Sequence, residues 1–250
     1  MRRILITGIT GFVGSHLAEL YLRQDNIELW GTRKWRSDME NVKHIKDQIK
    51  WVVCDITDAH SVEEMIKKIQ PDIIHHLAAM SFVKYSWLYP EETFEVNLRG
   101  SVKIFEAVRK FAPECVLHVA SSSEIYGKQD ILPITEEHLP APRSQYATSK
   151  LAMDLTAAQY TMSYGLKTII LRSFNHCGPR RNSEFVCSSF AKQIAEIEKG
   201  IKSPVIKVGN LEARRDISDA RDIVVSYQLA VEKCNYGEPY NIASGKAVSI

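Results

Sequence analysis

Near the amino terminus, ITGITGFVG (6–14) sets Gly8, Gly11 and Gly14 between a β-branched run, ILIT (4–7), and an amphipathic stretch, SHLAELYLRQ (15–24). A strand that passes through three glycines straight into a helix has few uses other than opening a β-α-β unit. The spacing is G-x-x-G-x-x-G rather than G-x-G-x-x-G, but the physical demand is the same. Glycines permit a sharp turn, let a pyrophosphate approach the backbone, and present it to the positive end of the helix. A dinucleotide site is expected in this loop. The apolar run is too short and too broken by glycine to be a secretion signal.

The same alternation continues along the chain. Short strand-like runs, IELWG (27–31), WVVC (51–54), DIIHHL (72–77), CVLHVA (115–120) and TIILR (168–172), are separated by helical patterns such as NLRGSVKIFEAVRKF (97–111). A capping box, Ser61-x-x-Glu64, marks the helix after Asp58. Repetition of strand and helix implies right-handed crossovers and a parallel sheet covered on both faces, a doubly wound, Rossmann-like α/β fold. After Arg172 the regularity loosens into SFNHCGPRRNSEF, one helix (186–200), a strand PVIKVG (204–209) and a second helix from Asp219. The expected organisation is a dinucleotide-binding domain of 1–172 plus 217–250, with PYNIASG (239–245) returning to its sheet, and a smaller substrate lobe of 173–216. The chain stops at Ile250 without a terminal helix, and a continuation of the substrate lobe is expected past that point.

With 250 residues, 45% of them hydrophobic, the chain can bury one large core or two unequal lobes. Its 32 basic and 30 acidic residues leave neither a nucleic-acid stripe nor a polybasic membrane patch, so a small-molecule partner is expected. No run approaches the ~18 apolar residues of a membrane span. Cys54, Cys115, Cys177, Cys187 and Cys234 form no C-x-x-C or Cys/His cluster, which suits reduced thiols in a cytoplasmic protein without a metal site.

The second strand ends in GTRKWRSD (31–38), where an NAD site ordinarily carries Asp or Glu for the ribose hydroxyls. Arg33, Lys34 and Arg36 instead suit a 2'-phosphate, because guanidinium meets phosphate through a bidentate fork. NADP(H) is therefore expected over NAD(H), a solvated basic loop being the plainer alternative. Asp55, directly after WVVC, either meets the adenine or caps the turn that follows.

VASSSEIYG (119–127) puts hydroxyls and a carboxylate at the end of a core strand, and SQYATSKLAMDL (144–155) sets Tyr146 and Lys150 four apart on one helix face. An ammonium under a phenol lowers its pKa and makes it a proton donor or acceptor for a carbinol–carbonyl exchange. With ten tyrosines present, roughly one such spacing arises by chance, so its position must carry the weight. Both segments reach the carboxyl edge of the sheet, where open α/β folds bind ligands, and there the Ser122 hydroxyl can hold a carbonyl beside Tyr146.

Together, Gly8, Gly11, Gly14, HHLAA (75–79), Asn97, Ser122, Tyr146, Lys150 and SFNHCGP (173–179) resemble the extended short-chain dehydrogenase/reductase family over essentially the whole chain. The resemblance implies nucleotide-sugar chemistry, with hydride passing between a nicotinamide and sugar C4. It casts Tyr146 as acid/base, Lys150 as the ribose anchor that tunes it, and Ser122 as the group orienting the C4 oxygen. It extends the cofactor set to Phe12, Val13, Ile56, Leu77, Ala78 and Ala79. SFNHCGPRRNSEFV and KVGNLEARRDISDARDIV are most similar to the branch acting on GDP-linked 6-deoxyhexoses, which implies that Ser81, Asn175, Arg181, Lys192 and Arg215 face a GDP-sugar. Any single one of these cations could equally be a surface charge. Helices 92–111 and 147–164 would pair copies into a homodimer or homotetramer.

Within that branch, Glu124 stands where 4,6-dehydratases keep an elimination base, and related reductases retain the same residue. Ser188, Ser189 and Ile217 replace the Arg-Lys and Trp typical of dehydratases. The expected reaction is NADPH-dependent reduction of a GDP-4-keto-6-deoxymannose-type sugar. The alternatives are a GDP-mannose-type 4,6-dehydration with Glu124 as base, and a cofactor-binding scaffold without catalysis. His75 and His76 are expected in packing, Trp87, Phe94 and Phe105 in core or interface, and Glu136 and Glu137 in a solvated loop.

Overall fold

Most of the apolar runs form strands, the central ones because they supply two buried faces at once. A computed structural model describes residues 1–250. In chain order it holds β1 (Arg2–Thr7), α1 (Phe12–Tyr21), β2 (Ile27–Arg33), β3 (Lys50–Val53), α2 (Ala59–Ile69) and β4 (Ile73–His76). There follow α3 (Val83–Leu88), α4 (Pro90–Phe94), α5 (Gly100–Phe111), β5 (Val116–Ala120), α6 (Gln145–Tyr164) and β6 (Lys167–Ser173). The chain closes with β7 (Asn175–Cys177), α7 (Val186–Glu198), β8 (Arg214–Asp219), α8 (Ala220–Lys233), β9 (Pro239–Ile242) and β10 (Ala247–Ser249).

The main sheet has seven strands in the order β3-β2-β1-β4-β5-β6-β9, every pair parallel. Its order reverses between β1 and β4, and the crevice at the carboxyl ends there is where such sheets receive ligands. Alternate strand residues divide the core. Leu5, Ile74, Leu117 and Ile170 pack with α2, α5 and α6, while Ile4, Ile6, Ile73, Ile169 and Leu171 pack with α1 and α8. β9 brings PYNI back beside β6, as expected. A second, three-stranded sheet joins β10, β8 and β7, so the last strand of the chain lies in the smaller sheet.

Two local expectations fail for identifiable reasons. PVIKVG forms no strand. It has no pairing partner, and Val205 and Val208 are exposed, whereas Arg214–Asp219 becomes a strand because β7 and β10 flank it. Ser61 does not cap α2 either. The helix starts earlier, and Asp58 Oδ1 accepts the His60 backbone N–H at 3.0 Å, leaving Glu64 to pair with Lys67.

Both ring nitrogens of His75 and of His76 are hydrogen-bonded inside the core. His75 shares hydrogen bonds with Tyr21 (2.7 Å) and His118 (2.9 Å), and His76 with Thr7 (2.8 Å) and Ser101 (2.9 Å). Burial drives the His75 and His76 imidazoles down to about 3, so both are neutral packing groups. Phe105 is core, Phe94 is half-buried and Trp87 is exposed. Glu136 is exposed, yet its carboxylate accepts the Asn241 N–H at 2.7 Å and ties its loop to β9. No helix is long and apolar enough to cross a membrane.

Candidate active site

A cavity of about 610 Å³ opens at the sheet's carboxyl edge, over the switch between β1 and β4. The glycine loop forms one wall. Gly8 has φ +72°, and a Cβ there would lie 2.9 Å from the Ala78 backbone nitrogen. A Cβ on Gly14 would overlap the Gly8 carbonyl and sit 2.7 Å from Ile9 Cα. Both positions thus require glycine for the loop to fold against the sheet. Thr7 Oγ1 accepts the Ala78 N–H and Thr32 Oγ1 accepts the Gly8 N–H, each at 3.2 Å, locking loop to strands.

No side chain caps α1, no acidic residue occupies its first turn, and the N–H groups of Phe12, Val13 and Gly14 find no acceptor in the protein. Together with the cavity over them, these donors fit the diphosphate of a dinucleotide. Ile56, Leu77, Ala78 and Ala79 line the same cavity. Asn97, in a five-residue π-turn (Glu95–Arg99) between α4 and α5, holds this segment. It accepts the Met80 N–H (2.7 Å) and donates to Met80 O (3.1 Å) and Ser149 Oγ (3.0 Å).

At the β2 end, Arg33, Lys34 and Ser37 line the cavity and Arg36 does not; its side chain is solvated. Asp55 also lies off the lining. Its Oδ1 accepts the Thr57 N–H (3.0 Å) and hydroxyl (2.8 Å), and Lys34 pairs with it at 3.1 Å. Partial burial opposes its ionisation, but these partners outweigh it and hold the carboxyl below its usual value. Of the two roles open to Asp55, the structure selects the turn cap.

The opposite wall carries the acid/base groups. After β5, Ser122 Oγ accepts the Glu124 N–H at 3.2 Å and caps a short 3-10 turn (Ser123–Tyr126) that presents Glu124 to the cavity. Ser144 caps α6 through the Ala147 N–H at 3.1 Å, setting Tyr146 and Lys150 on the inward face. Both are buried. The Lys150 ammonium donates to Ala120 O at 2.7 Å, and burial lowers its pKa to about 8. Burial raises the Tyr146 pKa and the Glu124 carboxylate adds to the rise; the neighbouring Ser122 hydroxyl and the Arg181 cation pull the other way without reversing it. The phenol is therefore protonated at neutral pH, and Arg181 is the cation acting on it.

Arg181 lies against the Phe185 ring (3.6 Å to its centroid) and near Phe12 (5.0 Å), and its buried Nε has no partner in the protein. Ser81, Asn175 and Arg181 line the main cavity, and Arg215 lines a small neighbouring one of about 60 Å³ that Asn175 and Arg181 share. Lys192, exposed on α7, lines neither. Sequence reasoning missed Ser173 and Tyr227, hydrogen-bonded at 2.8 Å and both on the cavity wall. Tyr227 comes from α8, 81 residues after Tyr146, and only the α/β topology brings it there.

A family model described as GDP-mannose 4,6 dehydratase matches residues 5–250. GDP-6-deoxy-D-mannose reductase of Pseudomonas aeruginosa is 30% identical over 251 residues, covering 100% of this chain and 77% of that protein. GDP-mannose 4,6-dehydratase of Yersinia enterocolitica is 33% identical over 261 residues, covering 100% and 69%. Among solved structures, that of RMD from Pseudomonas aeruginosa complexed with NADPH superposes with a TM-score of 0.85 at 27% identity, covering 100% of this chain and 78% of that one.

Proposed function

The chain belongs to the GDP-mannose 4,6-dehydratase family of the extended short-chain dehydrogenase/reductases, and from that membership we propose that it reduces a GDP-linked 4-keto-6-deoxymannose-type sugar. The observation that carries this reading is Tyr146, a buried phenol kept protonated at neutral pH beside the Ser122 hydroxyl. Ketone reduction needs a proton donor at the nascent C4 oxygen, and a neutral phenol is one. A bound NADPH would supply the hydride that the C4 carbonyl accepts. Ser122 donates a hydrogen bond to the C4 carbonyl and orients it toward the phenol, whose proton passes to the oxygen as charge develops there. Lys150 holds the nicotinamide ribose and supplies positive charge beneath the site.

The first-turn N–H groups of α1 bind the dinucleotide diphosphate, and Arg33 with Lys34 and Ser37 receives a 2'-phosphate. Preference for NADPH over NADH is supported by these donors, with the one nearby carboxylate, Asp55, tied into its own turn. The 173–216 lobe takes the GDP moiety, Arg181 and Arg215 pairing with its diphosphate and Asn175 and Ser81 hydrogen-bonding the sugar. Leu155 and Met162, two turns apart on one face of α6, are exposed apolar side chains on which a second copy packs; a monomeric mass in solution would refute that contact.

A second reading, 4,6-dehydration, is supported by Glu124. A carboxylate on the same cavity wall as Tyr146 is what removal of a C5 proton requires. The two are separated by offering the protein GDP-mannose with catalytic NADP⁺, and GDP-4-keto-6-deoxymannose with stoichiometric NADPH, and following sugar mass. Reduction of the second substrate, with a gain of two hydrogens, is expected. Loss of water from the first, with the second untouched, would replace the reductase reading by the dehydratase.

A further inference from the structure

Below the cavity lies a buried ion pair that the proposed reaction does not touch. Arg172 on β6 meets Asp154 on α6 through two parallel hydrogen bonds, Nε to Oδ2 at 2.9 Å and Nη2 to Oδ1 at 3.0 Å, and both side chains are almost fully buried. Asp154 Oδ2 also accepts the Ser121 hydroxyl at 2.7 Å. The remaining guanidinium nitrogen, Nη1, donates to Tyr126 OH at 2.8 Å and to Glu136 O at 3.3 Å, and Tyr126 OH donates onward to Asn241 Oδ1 at 2.9 Å. Of these groups only Ser121 lines the cavity.

The pair grips both walls of the site. Ser121 and Tyr126, one on each side of it, bracket Ser122 and Glu124 in the chain. Asp154 lies one turn beyond Lys150 and two beyond Tyr146 on α6. Arg172 immediately precedes Ser173, a cavity residue. An ion pair in a core contributes little stability over apolar side chains of the same size, because desolvation consumes the Coulombic gain. What a bidentate pair does supply is direction as well as distance.

We infer that Arg172 and Asp154 are positioning residues that hold the 121–126 turn in register with the inward face of α6 and thereby set the separation of Ser122 from the Tyr146 phenol. The inference rests on Ser122 and Tyr146 being the reacting groups. It accounts for a guanidinium that makes four hydrogen bonds and a three-fold hydrogen-bonded carboxylate at a place where apolar packing would suffice for folding.

The test replaces the pair as a whole by apolar groups of similar size, Asp154→Leu with Arg172→Met, and separately makes Arg172→Lys, which keeps the charge but loses the fork. Each full-length variant is assayed with NADPH and GDP-4-keto-6-deoxymannose, and crystallised with NADPH. The doubly substituted protein is expected to melt near the wild-type temperature and to bind NADPH within about threefold of it, while kcat falls on the order of 10²-fold with little change in KM, the effect of a displacement near 1 Å. Its crystals should show the separation of the Ser122 hydroxyl from the Tyr146 phenol changed by about 1 Å relative to wild type. A kcat within about threefold of wild type, or an unmoved Ser122–Tyr146 pair, would overturn the inference and leave the ion pair a packing feature. Should the double variant not fold, Arg172→Lys carries the same two readouts. If the wild type turns over neither sugar nucleotide, the reductase reading fails, and the crystallographic comparison alone decides the positioning role.

Discussion

Replacing Gly14 by alanine tests the proposed dinucleotide site at the point where it has least freedom. The added Cβ would overlap the Gly8 carbonyl oxygen and lie 2.7 Å from Ile9 Cα, where ordinary contact begins at 3.4 Å. Both obstacles are backbone, so no rotamer change relieves them. The loop or the start of α1 must retreat by roughly 1 Å, an overpacking that costs about 1–3 kcal/mol. At this chain length 2 kcal/mol corresponds to roughly 4–8 °C in melting temperature. The same retreat shifts the free N–H groups of Phe12, Val13 and Gly14, which in the proposed site hold the diphosphate. NADPH affinity, followed by fluorescence titration, should fall on the order of tenfold or more, since one lost charge-assisted hydrogen bond is worth about 1.5–3 kcal/mol. Gly209→Ala is the control, because a Cβ there meets nothing within 4 Å and its backbone is unstrained. A Gly14→Ala protein that melts within 1 °C of wild type (an effect below about 0.5 kcal/mol) and binds NADPH as tightly would refute the reasoning.

Other consequences are as direct. Tyr146→Phe removes the proton donor and should lower kcat by about 10²–10⁴-fold while NADPH binding is retained; unchanged turnover would favour the scaffold alternative. Glu124→Gln should leave ketone reduction within a few-fold of wild type, measured by NADPH consumption, and should abolish water loss if the protein is a dehydratase. Lys150 titrates near 8 in the folded protein, below the ordinary 10.5. Between those values the unfolded chain binds more protons, so stability should rise with pH by about 3 kcal/mol across the window and lose that rise in Lys150→Met. Chemical denaturation midpoints from pH 8 to 10.5 measure it, and cofactor affinity should weaken over the same range as the ammonium loses its charge.

The succession of strands and helices and the parallel, doubly wound sheet were legible because most of the buried runs announce themselves locally and the glycine loop anchors the first crossover. The three-stranded sheet was not. β7, β8 and β10 are short, and β8 owes its existence to partners about 40 residues before it and 30 after, a dependence that apolar alternation in PVIKVG imitates without satisfying. Within the site, the glycines, Ser122, Glu124, Tyr146 and Lys150 were readable because their spacing puts them at the carboxyl edge. The partner of Lys150 was not, since Ala120 O is a backbone acceptor that no residue pattern marks. The fate of Asp55 turned on Thr57, two residues away, whose donors compete with any ligand. Arg36 and Lys192 lie off the cavity lining for a related reason. A cation's place in the sequence does not say which side of its loop or helix meets the cavity.

The central claim is that this cavity transfers hydride from NADPH to sugar C4 while Tyr146 delivers the proton. Incubation of the protein with GDP-4-keto-6-deoxymannose and NADPH deuterated at the transferable C4 position, followed by mass spectrometry and NMR of the product, tests it most directly. One deuterium at sugar C4 per NADPH consumed is the predicted result. A product without deuterium, or no product while GDP-mannose loses water in a parallel reaction, would contradict it.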